Sequence, residues 1–457
     1  MDTTIIVIVC YFVVMCFLGL FIKNKISSDN DKSLSTLALA VSLIAALYGG
    51  GFILGGAELA YKYGWGGLAY GWSSALGLIL VGIFMTKQIH RESQISKNLT
   101  VSSLLKNKFN NNHISLISAV LSVLALTAIA AAQLYAAMRI FNVLNLPIKL
   151  MLGITTFIIV IVSLKGLKGL VCFGKYNLII ASFGAIAAIA LAWGITPNLS
   201  LNNQFEIASL STLLCIIIPT ALYILVGQDV HQKLYVAKSK KSLKSACFLA
   251  AFALILMTFF PVIIGIKSHY LFSINPSEAV PKFIMFSIPS IFKGLFIAAI
   301  LAAIIGCAQS VISAASAQFS QDVIGSLRNY NPLKIQKINS LTTIFIALIA
   351  FLIAICSKSI INNLIIAYSL YTAGMFIPVI LAFFHNKSQI YSKSIILISL
   401  TGIIASALIE LKVINLEMPS ILFGIGASFL TLLLFHLSSA FRRIGLQKKN
   451  QNNGGEI

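Results

Sequence analysis

VSLIAALYGGGFILGGAELAYKYGWGG, residues 41–67, is an apolar stretch of helix length interrupted by Gly49-Gly50-Gly51 and again by Gly55-Gly56. Glycine weakens a helix interior by roughly 1 kcal/mol per residue relative to alanine, so the triplet is expected to unwind. Unpaired N–H and C=O groups are costly in hydrocarbon, and an unwound backbone is tolerated there only when it is packed inside protein or lines a wet cavity. Two readings follow. The stretch is either the discontinuous helix of a secondary transporter, offering carbonyls to a cation and N–H groups to a substrate, or a glycine-faced surface on which helices pack closely.

The rest of the chain supplies the membrane that this argument needs. Of 457 residues, 58% are hydrophobic and only 10% charged, and the mean hydropathy is +0.95. Soluble domains carry about 25% charged residues, so a soluble globule is excluded. Apolar runs long enough to cross a bilayer recur from end to end. They predict thirteen spans, near residues 3–22, 38–60, 65–86, 114–141, 147–164, 170–194, 209–228, 245–266, 290–319, 339–356, 360–384, 394–411 and 418–440. The fold class is therefore an all-α polytopic membrane protein forming one transmembrane domain. The first run lacks a basic start and a small-residue cleavage site, and reads as a retained helix.

A net charge of +21 in a membrane protein bears on orientation, and no nucleic-acid partner is implied. With the N-terminus outside and the C-terminus inside, the inner loops and helix ends hold 25 of the 33 Lys and Arg residues. That bias predicts a multi-pass protein of the cytoplasmic (inner) membrane in this orientation. All seven cysteines fall inside spans without metal-like spacing, and read as small apolar residues. The 12 Asp and Glu and 6 His are scattered and mostly in loops, so no catalytic constellation or bound cofactor is expected.

Individual spans carry further signals. Gln133 lies deep in apolar span four, where an amide either bonds another helix or faces a cavity. Pro219 inside span seven frees a carbonyl and predicts a kink. Span seven would then mirror the broken span two, and the five-helix separation makes spans 2–6 (residues 38–194) and 7–11 (209–384) an inverted repeat, with spans 1, 12 and 13 accessory. Glu58 is either half of an outer-end ion pair with Lys62, four residues on, or a site for a substrate ammonium or a proton. A short interfacial helix is expected over TVSSLLKNKF, a capped helix over SINPSEAVPKF, and a disordered basic tail over residues 441–457. GQDVHQKLYVAKSKKSLKSA, residues 227–246, is the strongest loop signature and is placed on the inner side.

Three stretches together resemble the sodium:solute symporter family: ALYGGGFILGGAELAYKYGWGGLAYG, GQDVHQKLYVAKS, and NPSEAVPKFIMFSIPSIFKGLFIAAILAAIIGCAQSVISAASAQFSQDVIG. AAQLYAAMRIF and GLKGLVCFGKYN are weaker, collinear matches. The resemblance spans about residues 35–385 and implies the leucine-transporter-type 5+5 inverted repeat. It also implies a sodium site made by the carbonyls of Ala46, Gly49 and Ala303 with side chains at Gly306 and Cys307. The family usually has two hydroxyls at those last two positions, and glycine and a neutral thiol are poor substitutes for hard oxygens. A further departure is Phe173-Gly174, where the family often has Thr-Asp.

On the solute side the resemblance points to Tyr48, Gly50, Gly51, Phe52 and Gly56 around the break, with Gln133, Pro219 and Tyr223 across the cavity. Tyr223 stands in for the gate aromatic expected at Leu225. Lys175, one residue past the lost carboxylate, either bridges the Ala46 and Ala303 carbonyls as a tethered cation or joins Lys165 and Lys168 in a basic rim. The implied activity is secondary active transport of a small organic solute, monomeric or of unknown oligomeric state. Sodium or a proton is the possible coupling ion, and uncoupled carriage or a transporter-like sensor are the alternatives.

Overall fold

The computed structural model describes residues 3–21, 34–95, 100–193, 204–325, 331–357, 359–385, 392, 394–414 and 418–453. Lys23, Lys25 and Lys32, between spans one and two, lie outside them. Each of the thirteen expected spans falls on a helix. Eight helices are long and apolar enough to cross a membrane, one bent pair (Leu210–Val226 with Gln228–Leu234) qualifies together, and four shorter apolar helices include Thr36–Leu47. The 45 residues Gly51–Ile95 contain both the second half of span two and span three. Large apolar side chains such as Val13, Phe17, Phe183, Ile186 and Phe252 are exposed around the outside, as a lipid-facing surface requires.

Span nine, Ser290–Gln318, is the axis of the bundle and is buried along nearly its whole length, whereas span thirteen lies at the periphery. Its packing partners include span four (Asn112–Val143), span six (Gly166–Trp193) and span one (Thr3–Phe21). Small residues permit this density. A methyl on Gly184 of span six would sit 2.4 Å from Ala299 Cβ of span nine, the close approach that small faces allow.

Helix starts follow local capping rules. The Ser35 side chain accepts from the Ala38 amide, Asn111 from those of His113 and Ile114, and Ser239 from that of Ser242, each meeting an amide that no helical carbonyl reaches. Thr100 and Ser103 form a reciprocal capping box at the start of Val101–Phe109, the helix expected over TVSSLLKNKF. It packs inward through Val101, Leu104, Leu105 and Phe109. SINPSEAVPKF gives a single 3-10 turn, Pro276–Glu278, followed by the helix Ala279–Ser287.

Three expectations are corrected. The tail does not lose structure at residue 441, because the last helix is Ser420–Asn453; Arg, Lys, Gln and Leu are good helix formers, and positive charge suits a helix C-terminus. Span seven does not break at Pro219, which sits inside the continuous helix Leu210–Val226. The break comes at Gly227, with a 45° bend. Residues 228–234 of the expected inner loop are consequently a helix, buried at nearly every position.

At the inner ends the two broken helices are joined by main chain. The Leu34 amide donates to the Val236 carbonyl at 2.9 Å and the Lys238 amide to the Leu34 carbonyl at 3.2 Å, a short parallel bridge.

Candidate functional site

The first helix of span two ends at Leu47, Tyr48 and Gly49 leave helical geometry, and the chain resumes as a wide turn, Gly51–Gly55, before the helix Gly56–Tyr63. Two backbone groups at the break find side-chain partners on other spans. The Gly50 amide donates to Gln133 Oε1 of span four at 2.6 Å. The Ala46 carbonyl accepts from Cys307 Sγ of span nine at 2.8 Å. Of the two readings open for Gln133, the helix-bonding one is the arrangement found.

Gly49 is forced by this contact. A methyl there would lie 2.5 Å from Cys307 Cβ and 2.6 Å from Gln133 Oε1. The five positions expected around an ion are therefore neighbours. Ala46 and Gly49 meet Cys307 directly, while Ala303 and Gly306 line a narrow crevice with Ala45, Tyr48 and Asn177.

Asn177 is a residue that the sequence reading missed. It is 1% exposed, and neither its amide oxygen nor its amide nitrogen has a partner. Its side chain stands 3.4 Å from where a Gly306 side chain would begin, so it fills the space the missing hydroxyl leaves. Tyr48 OH, on the same crevice, is likewise buried without a partner. The available signal was helical spacing: Phe173, Gly174, Asn177, Ala181 and Ala185 recur on one buried face of span six. Lys175 lies on the opposite face and is exposed. It does not reach the carbonyls of Ala46 or Ala303, because two residues on a helix are about 200° apart.

Beside the break stands a cluster of aromatic rings. Tyr48 and Phe52 are 5.1 Å apart between ring centroids, and Phe52 and Tyr70 are 6.3 Å apart. Tyr223 stacks on Tyr368 at 4.3 Å and meets Tyr371 edge-on at 5.9 Å. The Tyr70 and Tyr368 side chains lie close enough to influence each other electrostatically. Gly51 packs against Leu364, with Tyr70 OH and the Gln133 amide close by. Gly56 departs from expectation, since it faces Pro261 of span eight at ordinary contact distance. Pro219 is buried within its helix.

The break in span seven is matched as closely as that in span two. His231 Nε2 donates to the Leu225 carbonyl at 2.7 Å, and Tyr371 OH to the Val226 carbonyl at 3.0 Å. Gly227 sits under the Tyr223 ring, 2.8 Å from where a side chain would start. Beyond it, Tyr223 OH donates to Asp229 Oδ1 at 2.7 Å, and Lys233 Nζ donates to the Asp229 carbonyl at 2.8 Å and to Ser310 Oγ of span nine at 2.5 Å. Asp229 and Lys233 are 3% and 4% exposed. The sequence reading placed both in an inner-side loop.

At the outer end, Arg139 pairs with Glu278 at 2.5 Å, and Lys282 with the other Glu278 oxygen at 3.2 Å. Glu58 is buried and accepts from Ser359 Oγ at 3.3 Å, while its second oxygen has no partner. The Lys62 pairing expected for it is not formed among the described residues. At the inner end, Thr100 donates to Asp322, and the Val101 amide to Gln228 Oε1.

Comparison with known proteins adds three findings. The model of the sodium:solute symporter family matches residues 30–391. No curated protein matches the chain in sequence. Among solved structures, a Na+-coupled sialic acid symporter in a substrate-bound outward-open state is similar, with a TM-score of 0.75 at 16% identity, covering 94% of this chain and 96% of that one. A nucleobase-cation-symport-1 family transporter in a closed conformation with bromovinylhydantoin bound gives 0.63 at 13% identity, covering 90% and 94%. These likenesses establish the fold, the leucine-transporter type.

Proposed function

The chain belongs to the sodium:solute symporter family, and on that footing we propose that it carries a small organic solute by alternating access without an obligatory sodium ion at the junction of spans two and nine. The Cys307 thiol bonded to the Ala46 carbonyl carries this reading. It links the break in span two to span nine directly, the connection that a cation held between those carbonyls and two hydroxyls would make. Gly306 adds no oxygen, and Asn177 occupies the space beside it.

The aromatic cluster describes the solute. Stacked and edge-on rings favour a small molecule with a flat or apolar face, and the hydroxyls of Tyr48, Tyr70 and Tyr368 serve a hydrogen-bonding edge. The Arg139–Glu278 pair would close the outer side over it, and the Thr100, Gln228 and Asp322 contacts the inner side. The distribution of Lys and Arg supports a cytoplasmic membrane with the N-terminus outside. Reporter fusions at residues 240 and 450 would both report the inner face.

The deciding experiment is uptake by proteoliposomes of labelled amino acids, sugars and short carboxylates, with a sodium gradient, a proton gradient or neither. Uptake of one class that persists when choline replaces sodium is the expected result. Uptake strictly dependent on sodium would overturn the reading.

A further inference from the structure

Lys233 is a buried ammonium set among oxygens. Its Nζ bonds a hydroxyl, Ser310 Oγ, and a main-chain carbonyl, that of Asp229, while the Asp229 carboxylate lies one helical turn back on the same short helix. Hydroxyl, carbonyl and carboxylate are hard oxygen donors of the kind that alkali cations prefer. Ser310 is three residues beyond Cys307 on span nine, and both Asp229 and Cys307 lie within electrostatic reach of Lys233. The cation thus bridges the second half of span seven to span nine one turn from the junction with span two.

The charges around it are few. Asp229 takes one hydrogen bond from Tyr223 and stands on the same face as Lys233. Tyr223, Tyr368, Tyr371 and Cys307, the other titratable groups that act on Asp229 or Lys233, are neutral in their ordinary state. The Lys233 ammonium and the Asp229 carboxylate are within electrostatic reach without a direct salt bridge among the described residues, and removing the ammonium leaves a buried carboxylate that water cannot solvate.

We propose that the Lys233 ammonium is a built-in cation occupying an oxygen cage between spans seven and nine that would otherwise take an alkali ion from solution. This deepens the sodium-independent reading above and rests on it. An immobile monovalent charge holds the two spans together throughout transport, so no ion need be bound or released there.

The test requires no solute. Thermal unfolding of the purified full-length protein is followed as sodium, lithium or potassium chloride replaces choline chloride at constant ionic strength and pH. The wild type and Lys175→Ala are expected to be indifferent to the exchange. Lys233→Ala strands Asp229 and should gain a saturable rise of at least about 3 °C with one of the alkali ions. Lys233→Ala with Asp229→Asn should lose that rise. A saturable rise in the wild type that Lys233→Ala abolishes would overturn the proposal, as would a folded Lys233→Ala that ignores every alkali ion. Should Lys233→Ala not fold, Lys233→Gln, which keeps a donor for Ser310, is held to the same two outcomes. Because no uptake is measured, failure here leaves the transporter reading intact, and failure of uptake leaves the cage testable.

Discussion

The Cys307 thiol points at the Ala46 carbonyl across the interface of spans two and nine, 2.8 Å from sulfur to oxygen. A thiol is a weak donor, yet this carbonyl is buried where helix hydrogen bonding has stopped, so the bond matters more than its strength in water suggests.

Cys307→Ala should therefore lower stability by roughly 1–3 kcal/mol, the cost of leaving a buried acceptor unpaired plus a small cavity. Cys307→Ser, which keeps a donor, should recover most of it. Chemical or thermal unfolding of the purified variants measures the difference, and equal loss in both would deny the bond a role.

Glycine substitutions in span two should follow the space around each residue. Gly49→Ala places a methyl 2.5 Å from Cys307 Cβ and should abolish uptake or folding. Gly51→Ala meets only the flexible end of Leu364 at 2.4 Å and should be milder. Gly153→Ala, with nothing within 4 Å, should be neutral or stabilising by up to about 1 kcal/mol. Unfolding temperatures and yields in that rank order are the expected result.

Gln133→Met keeps the side-chain length but removes the acceptor for the Gly50 amide. Stability should fall by roughly 1–3 kcal/mol, and transport should fall more steeply than in Gln88→Met, a substitution on the helix Thr86–Ile95 away from the break. Parallel uptake and unfolding measurements separate the two effects.

Arg139→Glu and Glu278→Arg should each impair transport by putting like charges together at the outer end. The double swap should recover a substantial part, because the pair is only 15% exposed on either side and such partly buried charges couple strongly. A double swap no better than the singles would show that the pair is not closing the outer side.

How far these features were legible depends on what physics each one obeys. The bilayer imposes a length and an apolarity on every span, so the spans could be read from hydropathy, and the glycine triplet marked the break because lipid tolerates few unwound helices. Side-chain direction was less accessible. Lys175 and Asn177 are two residues apart, and only the recurrence of Phe173, Gly174, Ala181 and Ala185 shows that the asparagine faces inward and the lysine outward. Gln228 to Leu234 carries so many polar groups that it reads as a loop. Only the tertiary partners Val101, Ser310, Leu225 and Tyr223 turn it into a buried helix. Pro219 was the plausible hinge by local rules, but the true one needed a glycine beneath a tyrosine ring.

The bridge between Leu34 and the Val236–Lys238 segment uses main-chain atoms alone. Its two hydrogen bonds ask for no particular side chain at Leu34 or Ala237, so the inner ends of both broken helices stay yoked through any substitution that respects the packing of these two residues against the core. Residues lining the interior are then at liberty to diverge toward new cargoes without each change having to re-establish the mechanical linkage. Only proline at residue 34 or 238, by deleting one of the two donors, would sever at a stroke what selection on side chains leaves untouched.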